Sequence, residues 1–183
     1  MTTSRAIREF LSSAKFERQL VRAYERYEIL TEADLQTITA EALRRTLRII
    51  RRSVESASHH VVTCNPRFKA CDGIPDILIW KNGKPRFWVE LKDRTKFHEN
   101  VAGDDWEKLK EYCRRYRTIQ RGYLIYVARR KSDLIHMKND RRLTWIPIVL
   151  EPTLKIDFQK WEDEYTKRAH YVEQPKRQVA TAG

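Results

Sequence analysis

Residues Gly73 to Trp80 and Phe87 to Lys92 are two apolar runs of strand length, and between them lies Asn82-Gly83, a dipeptide strongly favoured in tight β-hairpins. The first run, Gly73-Ile74-Pro75-Asp76-Ile77-Leu78-Ile79-Trp80, carries an acid at its start. The second, Phe87-Trp88-Val89-Glu90-Leu91-Lys92, carries an acid and a base two residues apart near its end. A hairpin this apolar belongs inside a sheet, where charges are rarely buried without a partner or a task. Glu90 and Lys92 share one face, because side chains alternate along a strand. The face of Asp76 depends on the turn. A two-residue loop pairs Asp76 with Val89 and sends Asp76 and Glu90 to opposite faces. A three-residue loop, or a single bulge, pairs Asp76 with Glu90 and gathers all three groups. A functional site requires that second register, and bulges are common beside active sites.

The rest of the chain supplies layers for such a sheet. Residues 4–28 read as helix, with Ile7, Phe10, Leu11, Ala14, Val21 and Tyr24 on one face and a break expected at Ser12-Ser13. Thr31-Glu32-Ala33-Asp34 has the form of a capping box opening a second helix that runs to about Val54. Val61 to Cys64 is a short strand. Residues 104–116 form a helical stripe through Trp106, Leu109, Cys113 and Tyr116. Gly122 to Val127 is apolar on both faces and is expected near the centre of the sheet. Trp145 to Leu150 is a fifth strand and Phe158 to His170 a last helix. The expectation is an α/β layered domain with a mixed sheet flanked by helices and preceded by a helical segment. One domain over 1–172 follows (helical to 56, sheet and helices from 57), with 173–183 a flexible tail.

Composition narrows the partners. Lysine and arginine number 37 against 25 acids, a formal charge of +12. Such an excess favours a polyanion, nucleic acid before membrane, because no long apolar segment is present. Cys64, Cys71 and Cys113 are odd in number and form no Cys-x-x-Cys pair, so they read as reduced intracellular thiols. No signal peptide is visible, and a cytoplasmic location, or wherever the nucleic acid lies, is the default.

Asp76, Glu90 and Lys92 are the residue types of a metal-dependent phosphodiesterase. Mg2+ prefers a few carboxylate oxygens with waters and phosphate oxygens, and Mn2+ can take its place. Asp76 and Glu90 would supply those oxygens, with the Leu91 carbonyl a further ligand. Lys92 would orient the attacking water or stabilise charge on the phosphate. The plainer alternative, a solvated Glu-Lys cross-strand pair, leaves Asp76 unexplained.

Ile74-Pro75-Asp76, thirteen residues, then Glu90-Leu91-Lys92 resembles the PD-(D/E)XK nuclease superfamily, and Gly-x-Pro-Asp with Val-Glu-Leu-Lys looks most like its virus-type replication-repair branch. The resemblance covers about twenty residues and implies a restriction-endonuclease-like fold, a metal at Asp76 and Glu90, and a catalytic Lys92. Ser12 to Val21 also looks like the early helix of archaeal Holliday-junction resolvases in that group, which implies a catalytic carboxylate at Glu17. Here the segment from Thr31 to Val54 is an added helix between Glu17 and Asp76. The implied activity is a Mg2+-dependent DNA endonuclease of replication, repair, recombination or restriction. An RNA endonuclease and an inactive nucleic-acid-binding module on the same fold remain alternatives. A homodimer is one way to cut both strands.

Phosphate contacts are expected first from Arg67 and Lys69 before Asp76 and from Arg94 and Lys96 after Lys92, all near the metal in sequence. Arg44, Arg48 and Arg51 share a helix face and form a second set, against which stands a merely solvated face. Asp72 reads as a turn residue, and adjacent His59 and His60 diverge on a strand, so at most one could face the site.

Overall fold

The computed structural model describes residues 2–53, 59–66, 74–95, 102–134, 137–151 and 157–173. The elements are α1 (Thr3–Leu11), α2 (Ala14–Glu25), α3 (Glu32–Ser53), β1 (His60–Cys64), β2 (Ile77–Lys81), β3 (Lys84–Arg94), α4 (Ala102–Arg115), β4 (Arg121–Ala128), β5 (Leu143–Val149) and α5 (Phe158–Glu173), with a 3-10 turn at Lys131–Asp133. The sheet runs β1-β2-β3-β4-β5 in space. β1, β2 and β3 are antiparallel, while β3, β4 and β5 are parallel, so the expected α/β layered architecture with a mixed sheet is observed.

The strand pattern sorts side chains into two layers. Ile77, Ile79, Phe87, Val89, Leu91, Tyr123, Ile125 and Val127 point to one side, where they bury Ile7, Leu11, Phe16, Leu20, Leu35 and Leu43 of α1, α2 and α3. Leu78, Trp88 and Leu124 point to the other, against Trp106, Leu109 and Cys113 of α4. Trp88 is fully buried and stacks on Tyr112, centroids 4.4 Å apart. β4 is buried along Gly122–Ala128, as its apolar sequence predicts, but the central strand is β3. The charges Glu90, Lys92, Asp93 and Arg94 hide the length of β3, which runs past the end of the apolar run at Lys92 to Arg94.

α3 starts where the capping box placed it. Asp34 N–H donates to Thr31 Oγ1 at 3.2 Å, and Asp34 Oδ2 accepts from Leu30 N, Thr31 N and the Thr31 hydroxyl at 2.9–3.0 Å. These bonds satisfy donors that the first turn of a helix leaves open. Thr31→Ala is expected to lower stability by about 1 kcal/mol, measured by urea unfolding. α5 is tied back by buried Trp161, whose Nε1 donates to Ile29 O at 3.0 Å. Among the described residues, no helix is long and apolar enough to cross a membrane. The tail expected over 173–183 lies outside the described residues except Glu173, which ends α5.

Candidate active site

The hairpin between β2 and β3 decides where the charges go. Asn82 and Gly83 both take positive φ, +51° and +71°, the conformation of a tight two-residue turn. That turn alone would split Asp76 from Glu90. Lys81 pairs with Lys84 and Trp80 with Pro85, but Ile79 then pairs with Phe87, leaving Arg86 as an extra residue on β3. Beyond this bulge Ile77 faces Val89, and one step further Asp76 lies across from Glu90. Asp76, Glu90 and Lys92 therefore share the α4 side of the sheet.

They meet at one end of a polar cavity of about 310 Å3. Leu91 N–H donates to Asp76 Oδ2 at 2.7 Å, which fixes that carboxylate against β3. Trp88 Nε1–H donates to Glu90 Oε1. Lys92 Nζ lies 3.1 Å from Asp105 Oδ2, with both side chains largely covered at 23% and 17% exposure, and Lys108 Nζ is 3.5 Å from Asp105 Oδ1. Glu32, Ile74, Leu91, Lys108 and Tyr112 complete the walls.

The electrostatics of the cavity run against the rest of the chain. Its lining has four carboxylates (Glu32, Asp76, Glu90, Asp105) and two ammonium groups (Lys92, Lys108), a formal excess of two negative charges in a protein of charge +12. Burial, then the neighbouring Asp76 charge, pushes the Glu90 carboxyl well above the ordinary range, against the Trp88 hydrogen bond. Burial also raises the Asp76 carboxyl, opposed by the Leu91 N–H and its contact with Glu90. Burial raises the Glu32 carboxyl too, with Asp76 and Asp93 nearby and Lys92 opposing. Two carboxyls in contact favour a shared proton or a shared cation.

An ion of charge +2 matches that excess, and the donor set fits a hard cation: Asp76 and Glu90 oxygens beside the Leu91 backbone. Among the described residues, no three Asp, Glu, His or Cys side chains form a cage that could hold a metal alone. Mg2+ typically uses one or two carboxylates and keeps its waters, so the pair suits Mg2+ better than it suits a fully protein-ligated metal.

No family model, curated protein or solved structure matches the chain.

Other expected site residues lie elsewhere. Glu17 is exposed on α2 and does not line the cavity. Ser13 caps α2 afresh, its Oγ accepting from Phe16 N at 3.2 Å, so the helical phase restarts after Ser12. The buried stripe of α2 is Phe16, Leu20, Val21, Ala23 and Tyr24, and Glu17 lies off it. The helical carboxylate that reaches the cavity is Glu32, at the start of α3. Its Oε2 lies 3.4 Å from Asp93 N, and Asp93 Oδ2 in turn accepts from the Tyr24 hydroxyl at 2.9 Å. The capping box marks where α3 begins, but nothing local shows that this start abuts the end of β3.

Arg44 does not track the surface. It is half-buried and donates to Val62 O on β1 at 3.2 Å, covering the open edge of that strand. Arg94 is also half-buried, with its guanidinium close to the Tyr126 hydroxyl. Arg48 is exposed. The Arg51 side chain, Arg67, Lys69, Asp72 and Lys96 lie outside the described residues. His59 and His60 stand on or beside β1, two strands from β3, and neither lines the cavity.

Removing one of the like charges should relieve the fold. Glu90→Gln keeps an oxygen for Trp88 and is expected to raise stability in EDTA by about 1 kcal/mol. With excess Mg2+ the order should reverse, because only the native pair gains from binding the ion. Thermal melting of both proteins in the two buffers checks this.

Proposed function

We propose that this chain is a divalent-metal-dependent phosphodiesterase that cuts nucleic acid, with Mg2+ as the natural ion and DNA as the first substrate to test. One observation carries the reading: the Arg86 bulge brings Asp76, Glu90 and Lys92 to one face, where they line a negatively charged cavity. The motif resemblance supports it, as does the basic charge of the rest of the surface.

Asp76 and Glu90, with the Leu91 carbonyl, are the residues that would hold the ion. A bound Mg2+ supplies Lewis acidity toward water and the scissile phosphate. The Leu91 N–H holds Asp76 in place before substrate arrives, so no reorganisation is needed at that carboxylate. Asp105 fixes the Lys92 ammonium at the cavity wall, where its remaining N–H donors can orient a water or meet a phosphate oxygen. Glu32 stands at the rim as an acceptor for a second water.

The test is incubation with labelled single-stranded, duplex and branched DNA and with RNA, in Mg2+, in Mn2+ and in EDTA. Cleavage that needs the metal supports the proposal, and the preferred substrate assigns the class. Salt-sensitive binding with no cleavage in either metal rejects it in favour of a binding module.

A further inference from the structure

A second cleft lies on the outer side of the helical layer, between α2 and α3. Five cations line it, Lys15, Arg18 and Arg22 from α2, Arg26 at its C-cap and Arg45 from α3, against two carboxylates, Glu28 and Glu41. All seven side chains are exposed, and the cleft encloses about 680 Å3. Positions 15, 18, 22 and 26 follow helical spacing, so these four cations form one ridge along the groove. Arg26 lies 3.9 Å from Glu28, and Arg45 3.0 Å from Glu41. Both are exposed pairs of small energetic weight. Among the described residues, Lys15, Arg18 and Arg22 make no ion pair.

This arrangement works against the isolated fold. Arg18 and Arg22 are like charges four apart on a helix, which costs a few tenths of a kcal/mol. The contrast with Arg44 is instructive: that arginine is used up on a strand edge, whereas the α2 ridge points into an open groove. The eleven steps from Lys15 to Arg26, at the end of α2, span about 16 Å, the axial length of about five phosphates of one strand. The Arg26 end adjoins the connection, 27–31, that leads to Glu32 at the cavity.

We infer that the α2–α3 groove binds the phosphodiester backbone of a nucleic acid, as a contact separate from the cavity of Asp76. The ridge places cations at successive turns along the strand, and the groove gives the backbone a concave seat. The lining is mainly cationic, with Ala23 and Ile38 at its floor and no aromatic platform for bases among the described residues, so binding there is independent of sequence. Its part in cleavage rests on the phosphodiesterase reading; its binding does not.

The test is fluorescence anisotropy in EDTA, across a salt series, with duplex DNA, single-stranded DNA and RNA of one sequence. Native protein is compared with Arg18→Ala/Arg22→Ala and with Arg114→Ala/Arg117→Ala. The latter removes the same charge from exposed positions at the end of α4, across the sheet. Circular dichroism melts establish that both variants are folded. The groove variant is expected to bind at least about 10-fold more weakly and to lose about two from the slope of log affinity against log salt. The control should lose less than one. A groove variant whose slope falls by less than one, or by no more than the control's, overturns the inference. The three probes show which nucleic acid supplies the backbone. Binding that depends on the groove in a protein that cuts nothing would leave this inference standing and sink the phosphodiesterase.

Discussion

Asp76→Asn and Lys92→Met are each expected to abolish the proposed metal-dependent cleavage, lowering kcat by about 10^3-fold or more with the protein still folded. Asn at position 76 keeps an oxygen to accept the Leu91 N–H, so β2 and β3 stay in register. It removes a negative charge that a hard cation requires. Met at position 92 preserves the stem but leaves no ammonium, and Asp105 retains Lys108 as its partner. A single preorganised electrostatic group at a reacting centre contributes about 10^2- to 10^3-fold, and loss of the ion removes more. The two variants separate in a second measurement. Mg2+ should raise the melting temperature of Lys92→Met but not of Asp76→Asn. Cleavage that survives in either variant at near-native kcat would move the chemistry away from this cavity.

Gly122→Val is expected to be strongly destabilising. A Cβ at Gly122 would lie 2.8 Å from Leu109 Cδ1, 2.9 Å from Leu109 Cγ and 3.0 Å from Cys113 Sγ. Leu109 is fully buried, so α4 must lift off the sheet or the side chain must leave its rotamer. Overpacking of this kind costs about 1–3 kcal/mol, and valine's branched side chain belongs at the upper end. α4 also carries Asp105 and Lys108. The same variant should therefore lose activity beyond its loss of stability, read as kcat well below native at a temperature where it is fully folded. Gly122→Val that melts with the native protein would show that α4 yields there easily.

Much of this was legible in the residues because it is local. The Thr31-Asp34 box marked the start of α3, the break at Ser12-Ser13 divided α1 from α2, and the alternation of Trp88, Glu90 and Lys92 fixed their common face. Asn82-Gly83 announced the turn, and the need to bring Asp76 to Glu90 pointed to a bulge. What stayed hidden depends on contacts far apart in the chain. Glu17 was misplaced because it lies off the buried stripe of α2. Glu32 was missed because only packing brings the start of α3 to the end of β3. Asp105 was missed for the same reason, since an acid near the start of a helix looks like an ordinary favourable charge. Arg44 looked like a surface cation until β1 offered it a carbonyl.

The Arg86 bulge has a consequence for how this hairpin can change. The face that a strand residue presents depends on whether the count of residues from the turn is odd or even. Arg86 shifts that parity once, and everything beyond it inherits the result. Lengthening or shortening the segment between Lys81 and Phe87 by two residues would leave Asp76 and Glu90 facing each other. A change of one would turn the acid of one strand away from the acid of the next without altering any of the three side chains. The site is thus encoded as much by a count as by its chemistry, and homologues with turns of other lengths should differ here in steps of two.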